Sequence, residues 1–327
     1  MSTVSRTIYI ATRGSALALA QSKMVLAECR RNFPARNFEL MIIKTTGDKL
    51  QTINLTNPNQ TVTKGLFTKE LEVAMLNREA DFAVHSLKDL PTELPEGLYL
   101  AGVSEREDVR DVLIYRSPEI ATKEKRGYLA HSRVADFKSG VTIATSSTRR
   151  QAQLLGIRPD LKTVPIRGNV GTRLQKLVDN AELDGIVLAY AGLKRLGFRV
   201  EIDGSLAGTD VPRGLLATIL PVEQMLPCVG QAALGYESRI GDREIDEILA
   251  KLNHESTQHC VTAERAFLHG MGGGCMSPVA AYGEMQEGEL RLRALSFRNE
   301  TVRRADRTAK PEEARKLGER VAEELLS

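Results

Sequence analysis

Tryptophan is absent from this chain, and aromatic residues make up only 5% of it. A protein that stacks RNA bases on aromatic side chains has few platforms here, which argues against nucleic acid as a partner. Long hydrophobic runs are missing too. No stretch approaches the roughly 20 apolar residues of a membrane span, and the opening MSTVSRTIYIATRGS has no apolar run of signal-peptide length. We therefore expect a cytoplasmic protein with no membrane partner. Cysteine is scarce: Cys29, Cys228, Cys260 and Cys275 form no CxxC pair, so no disulfide framework is expected. A zinc set drawn from His259, Cys260, His269 and Cys275 lacks the usual ligand spacing, because neighbours 259 and 260 point to different faces of a helix. No metal is expected. No clear interface stripe is present, and a monomer is the default.

What the chain does have is room and a local surplus of positive charge. Its 327 residues can build two or three domains with real cores. The net charge is only +3, yet IATSSTRRQAQLLGIRPDLKTVPIRGNVGTR (143–173) holds Arg149, Arg150, Arg158, Arg167 and Arg173 with Lys162, against Asp160 alone. A charge run usually means a solvated face. These arginines instead recur at the starts of successive elements, beside hydroxyl side chains and the free N–H groups of helix N-termini. That equipment suits a carboxylate or phosphate, so the stretch reads as a polyanion site.

Taken in order, TIYIAT (7–12) reads as a buried strand, and Ser15 caps a helix to about Arg31, with Arg13 in the turn between. FELMIIKT (38–45) is a second strand, Phe67 to Arg78 a second helix and DFAVHS (81–86) a third strand, which predicts a mostly parallel sheet. The polar stretch between Gly47 and about residue 63 is long for a loop and reads as a cover over a site. A weak repeat then emerges: residues 10–21 resemble 143–153, and 81–90 resemble 184–196. The pattern predicts two similar α/β domains facing one cleft, with Arg13, Asp89, Ser146 and Arg167 at the carboxyl ends of strands, where such sheets bind ligands. Residues 98–115 pass between the sheets through a charged link that suits a hinge, and 226–239 read as a turn and helix returning to the first domain. After Lys251 come a long helix (about 256–269), the GMGGGCMSP loop, three strand-like runs and a closing helix from Pro311 to Leu326. That is a small α+β domain with a three-stranded antiparallel sheet.

Two residues stand out chemically. Cys275 follows three glycines and precedes Pro278; it reads equally as a displayed thiol or as a small buried hydrophobe beside a tight turn. Asp89 follows a strand, beside Lys88; it either caps the next turn or stabilises a cation and moves a proton. His85 reads as a core histidine. A non-catalytic anion sensor built on the same cleft would need neither Asp89 nor a glycine-displayed thiol.

The segments ATRGSALALAQ, KGLFTKELEVAMLNREADFAVHSLKDLP, SEREDVRDVL, ATSSTRRQAQL, IRGNVGTRLQKL, LAYAGLKRLG, VTAERAF and GGGCMSP resemble, in order and over essentially the whole chain, the porphobilinogen deaminase (hydroxymethylbilane synthase) family. The resemblance implies a transferase of tetrapyrrole biosynthesis. It would condense four porphobilinogen molecules head to tail, release ammonia and free linear hydroxymethylbilane. It implies a dipyrromethane cofactor held by a thioether to Cys275, with Asp89, Lys88 and Arg13 catalytic. Cofactor contacts would come from Ser15, Lys64, Lys88, Asp89, Thr145, Ser146, Ser147, Arg149, Arg150 and Gly168. Substrate contacts would come from Arg13, Phe67, Arg149, Arg167, Arg173 and Arg195. The implied fold has two periplasmic-binding-protein-like domains, 1–106 plus about 231–251 and 107–230, and a third, 252–327, that presents Cys275. Val109 stands where the family often has proline, Ala232 where it has glycine, and Ser277 where it has a β-branched apolar residue. The first of these is expected to loosen the hinge.

Overall fold

The computed structural model describes residues 6–46, 68–273, 277–298 and 301–327. The first unit opens with β1 (Thr7–Arg13), α1 (Ala16–Asn32) and β2 (Asn37–Ile43). Ser15 begins α1 as expected: its hydroxyl accepts from the Ala18 N–H at 3.3 Å, supplying one of the acceptors a helix start lacks. After α2 (Lys69–Leu76) the chain turns at Arg78, which adopts φ 61°. It then enters β3 (Phe82–Ser86), a 3₁₀ turn at Leu87–Asp89 and β4 (Leu98–Val103). The expected start of α2 at Phe67 and the expected cover over 47–63 lie outside the described residues.

Residues 104–110 lead to the second unit. It comprises β5 (Asp111–Arg116), β6 (Thr142–Ala144), α3 (Thr148–Ile157), β7 (Lys162–Val164), α4 (Val170–Asp179), β8 (Gly185–Ala189), α5 (Tyr190–Arg195), the short β9 (Arg199–Val200) and β10 (Leu206–Ala207), and β11 (Leu215–Ile219). The chain then returns through β12 (Leu234–Arg239) to α6 (Arg243–Leu252). Residues 226–239 therefore correct the expected turn and helix: they form a turn and a strand. All six residues of β12 are buried, because it lies between β3 and β4 with both faces covered, so it shows no alternation.

The two large sheets have one plan. Their strand orders are β2-β1-β3-β12-β4 and β7-β6-β8-β5-β11. In each, the first three strands are parallel, the fourth is antiparallel to its neighbours, and the fifth pairs antiparallel with the fourth. The repeat seen in the sequence occupies matching places, β1 with β6 and β3 with β8. Each fourth strand is the one reached by crossing from the other unit, so the two sheets are joined by two crossings, at 104–110 and 220–233.

The third unit packs α7 (Glu255–Gly270) and α8 (Ala314–Leu326) on an antiparallel sheet of β13 (Val279–Gln286), β14 (Glu289–Ser296) and β15 (Arg303–Ala309). The closing helix begins with a 3₁₀ turn at Pro311–Glu313. Each unit has its own core: Ile10, Phe38, Phe82 and Tyr236 in the first, Ile114, Ile186 and Leu174 in the second, Phe267, Leu292 and Val321 in the third. Burial on the order of 1.5–3 kcal/mol for each such side chain anchors the strand ends that carry the site.

Candidate active site

Strands β3 and β6 end facing one cavity of about 240 Å³. From the first unit come Lys88 and Asp89, held in the 3₁₀ turn that follows β3. From the second come Ser146, Ser147, Arg149, Arg150 and Arg173. The third closes it with Leu268, Ser277 and Val279, and the crossing between units adds Cys228, Val229 and Gln231. Ser277 stands two positions along the chain from Cys275. Cys275, Lys64 and Phe67 lie outside the described residues.

The serines act first on the backbone. Ser147 caps α3, accepting from the Arg150 N–H at 3.4 Å, and Thr145 accepts from the Ser147 N–H at 3.2 Å. Ser146 bridges to the loop after β7, donating to the Ile166 carbonyl at 2.8 Å and accepting from its N–H at 3.0 Å. The helix start is thereby fixed, and the first turn of α3 delivers two arginines inward.

Arg149 and Arg150 are buried, only 3% and 8% exposed. Both grip Asp111 at the start of β5: Arg149 Nη2 lies 2.7 Å from Oδ2 and Arg150 Nη2 2.8 Å from Oδ1, with Gln231 Nε2 donating to Oδ1 at 2.9 Å. Their Nη1 atoms donate to the Leu226 and Val187 carbonyls at 2.6 and 3.0 Å. Burial alone would raise the Asp111 pKa, but the two guanidiniums hold it well below the usual carboxylate range. Burial also works against the charge of Arg149; Asp111 and then Cys228 outweigh it and hold that guanidinium above its usual range. The Nε–H groups of Arg149 and Arg150 find no acceptor among the described residues.

Arg173 reaches the cavity from α4, its Nε donating to the Gly168 carbonyl at 2.7 Å. Gly168 has φ +116°, and a Cβ there would lie 2.8 Å from the Thr172 methyl, so glycine is what lets the loop present that carbonyl. Burial and the neighbouring Arg150 push the Arg173 pKa down from the usual arginine range, opposed by Asp89.

Other expected residues fall elsewhere. Arg13 ends β1, half-buried, and Ser15 caps α1; neither lines this cavity, nor do Thr145 and Gly168. Exposed Arg167 lines a separate depression of about 1000 Å³ along the outer edge of the second sheet. Arg195 lines a crevice of about 530 Å³ beside the crossings, donating from Nη2 to the Ala232 carbonyl at 2.5 Å, and burial pushes its pKa down. His85 is buried and pairs with Glu237 at 2.9 Å, in keeping with a core histidine. Sequence reasoning passed over Asp111, Gln231 and Cys228; the first lay inside SEREDVRDVL as one of many charges with nothing to single it out.

The lining offers one exposed carboxylate, Asp89, together with Lys88, Arg149, Arg150 and Arg173, with one wall from each of three units. A group carrying several carboxylates fits that donor set. The fold and the cavity thus define a cleft protein of two matched α/β units, with a single acid and three arginines lining the cleft and a third unit closing it. The chain belongs to the porphobilinogen deaminase family: the model described as "Porphobilinogen deaminase, dipyromethane cofactor binding domain" matches residues 8–247, and "Porphobilinogen deaminase, C-terminal domain" matches 258–327. It is 43% identical to the porphobilinogen deaminase of Pelobacter propionicus, over 98% of this chain and 94% of that one. The Geobacter metallireducens protein is 43% identical over 97% and 91%, and that of Chlorobium chlorochromatii 42% over 99% and 95%.

Proposed function

We propose that this protein joins four porphobilinogen units head to tail, losing one ammonia at each condensation, and releases linear hydroxymethylbilane for tetrapyrrole biosynthesis. Porphobilinogen carries an acetate and a propionate, so a growing oligopyrrole gains negative charge with each ring. The observation that carries the reading is the meeting of Asp89, Lys88 and three arginines in one cavity whose third wall includes Ser277.

When bound, a dipyrromethane attached by a thioether to Cys275 supplies the free pyrrole carbon that primes the chain. Arg149 and Arg150 would hold its carboxylates, with Ser146, Ser147 and Lys88 beside them. Arg173 would take a carboxylate of the incoming unit, and Arg13, Arg167 and Arg195 those of further rings as the units move. Ser15, Thr145 and Gly168 contribute through the backbone turns they shape. Asp89 accepts hydrogen bonds from pyrrole N–H groups and stabilises the cation left on the substrate as its C–N bond breaks. Its carboxylate stands at the cavity wall, while Lys88 balances its charge before substrate arrives. The reading makes the protein a cytoplasmic monomer; among the described residues, no helix is long and apolar enough to cross a membrane.

Asp89→Asn keeps the shape of this side chain and removes its charge. We expect turnover to fall by about 10²-fold or more, the scale of losing one electrostatic stabiliser, with an unchanged circular dichroism spectrum and melting temperature. Retained turnover in that variant would remove Asp89 from the chemistry.

A further inference from the structure

Lys88 and Asp89 belong to the first unit and Arg149 and Arg150 to the second, so whatever joins the units sets the reach from acid to arginines. At the join the two crossings run side by side: the Ser104 N–H donates to the Leu234 carbonyl at 3.1 Å and the Glu107 N–H to the Ala232 carbonyl at 3.3 Å. Gln231 stands in the second crossing, fully buried, and its neighbours Gly230 and Ala232 both have left-handed backbone, with φ 70° and 74°. Its side chain reaches the second unit. Nε2 donates to the Val109 carbonyl at 2.7 Å and to Asp111 Oδ1 at 2.9 Å, and Oε1 accepts from Cys228 Sγ at 3.3 Å. Asp111 is the carboxylate that Arg149 and Arg150 grip. The backbone around Gln231 reaches the other way. The Leu87 N–H opens the 3₁₀ turn that carries Lys88 and Asp89, and it donates to the Ala233 carbonyl at 3.0 Å. Gly230 lies so close to that turn that a Cβ there would stand 3.0 Å from Leu87 Cγ and 3.2 Å from the Lys88 backbone nitrogen. Segment 230–233 therefore meets the acid's turn through its backbone and the arginine pair through one side chain.

We propose that Gln231 is a positioning residue for the condensation, one buried amide that locks the Asp111, Arg149 and Arg150 clamp to the turn carrying Asp89. The inference rests on the deaminase reading for what is positioned: carboxylates held by the two arginines are set at a fixed reach from Asp89. An amide suits this post because it offers two donors to two acceptors and adds no charge beside Asp111. A carboxylate would repel Asp111, and an apolar side chain would leave the Val109 carbonyl and one side of Asp111 unpaired. Arg173, assigned to the incoming unit, is held by the Gly168 carbonyl instead. Gln231 therefore governs the rate of bond formation and not the capture of substrate.

The test compares the parent with Gln231→Met, which keeps the length and removes both donors, and Gln231→Glu, which keeps the shape and sets a carboxyl group beside Asp111. The second variant stands in if the first does not fold. Kinetics with porphobilinogen are expressed per primed molecule, counted by intact mass, and backbone amide exchange is followed peptide by peptide. Expected are a kcat lower by about 10-fold or more with KM within roughly twofold of the parent. Exchange should also quicken in two separate peptides, one holding Leu87–Asp89 and one holding Ser147–Arg150. A residue that only stabilises the crossing would quicken exchange in 226–235 alone and leave kcat per primed molecule at the parent's value; either result overturns the proposal. So does a raised KM at unchanged kcat, which would make Gln231 a substrate contact. A parent that turns over no porphobilinogen contradicts the deaminase reading, and the exchange pattern then decides the coupling by itself.

Discussion

Asp111 decides how the two most conspicuous arginines of the sequence can act. A fully buried carboxylate, it is held by Arg149, Arg150 and Gln231 together, so the basic run is partly a structural clamp and only partly a reception site. Removing Arg149 breaks a buried pair and strips a donor from the Leu226 carbonyl. Arg149→Leu should therefore lose about 3 kcal/mol of stability in urea unfolding, the lower end for such pairs because Arg150 and Gln231 remain. Arg173 is the cleaner probe of carboxylate binding, since it lines the cavity and takes no part in the Asp111 clamp. Arg173→Gln should leave the urea midpoint unchanged and raise KM by roughly 10-fold or more, as loss of a charge-assisted hydrogen bond implies. An unchanged KM would exclude it from substrate binding. The sequence suggests anion binding because its arginines cluster near helix starts. It could not apportion them, since a guanidinium's partner depends on a carboxylate some forty positions away in the chain.

Among the elements, strand β12 and the turn before it separate what periodicity reveals from what it hides. Amphipathic α1 and its Ser15 cap are local features, and they sit as the sequence suggests. Strand β12 is sealed on both faces, so its pattern carries no period and the segment passed for a helix. The same crossing holds Ala232 at φ +74°, packed against Val109 and Ala191. Left-handed backbone costs a non-glycine residue about 1–2 kcal/mol. Replacement by glycine would relieve that strain, but it frees the unfolded chain by about 0.4–1 kcal/mol and removes a buried methyl worth about 0.8 kcal/mol. Ala232→Gly should thus lie within about 0.5 kcal/mol of the parent in thermal unfolding, the three contributions nearly offsetting. Destabilisation well beyond that would show that contacts with Val109 dominate this crossing. Two of the three departures from the family's pattern, Val109 and Ala232, fall in one apolar cluster, which no reading of either alone could anticipate.

Across the whole molecule, one carboxylate gathers all three units. Glu264 of α7 accepts from Arg106 in the first crossing at 2.6 and 3.1 Å, from the Gly230 N–H in the second at 2.7 Å, and from the Gly283 N–H of β13 at 2.8 Å. Arg106 also donates to the Gln231 carbonyl at 2.9 Å. This junction sets the third unit against the cleft, so that its Ser277 stands at the cavity wall with Lys88 and Arg150. The matched sheet plans were foreshadowed by the internal repeat, whereas the junction was not, because its partners are scattered along the chain. The central claim is that this assembly holds a covalent pyrrole primer on Cys275. The most direct measurement is the intact mass of the purified protein under denaturing conditions, followed by peptide mapping. The account predicts an excess equal to two linked pyrrole units, located on the peptide containing Cys275 and absent from Cys275→Ala. An unmodified mass that persists after incubation with porphobilinogen, or an adduct retained by Cys275→Ala, would contradict it.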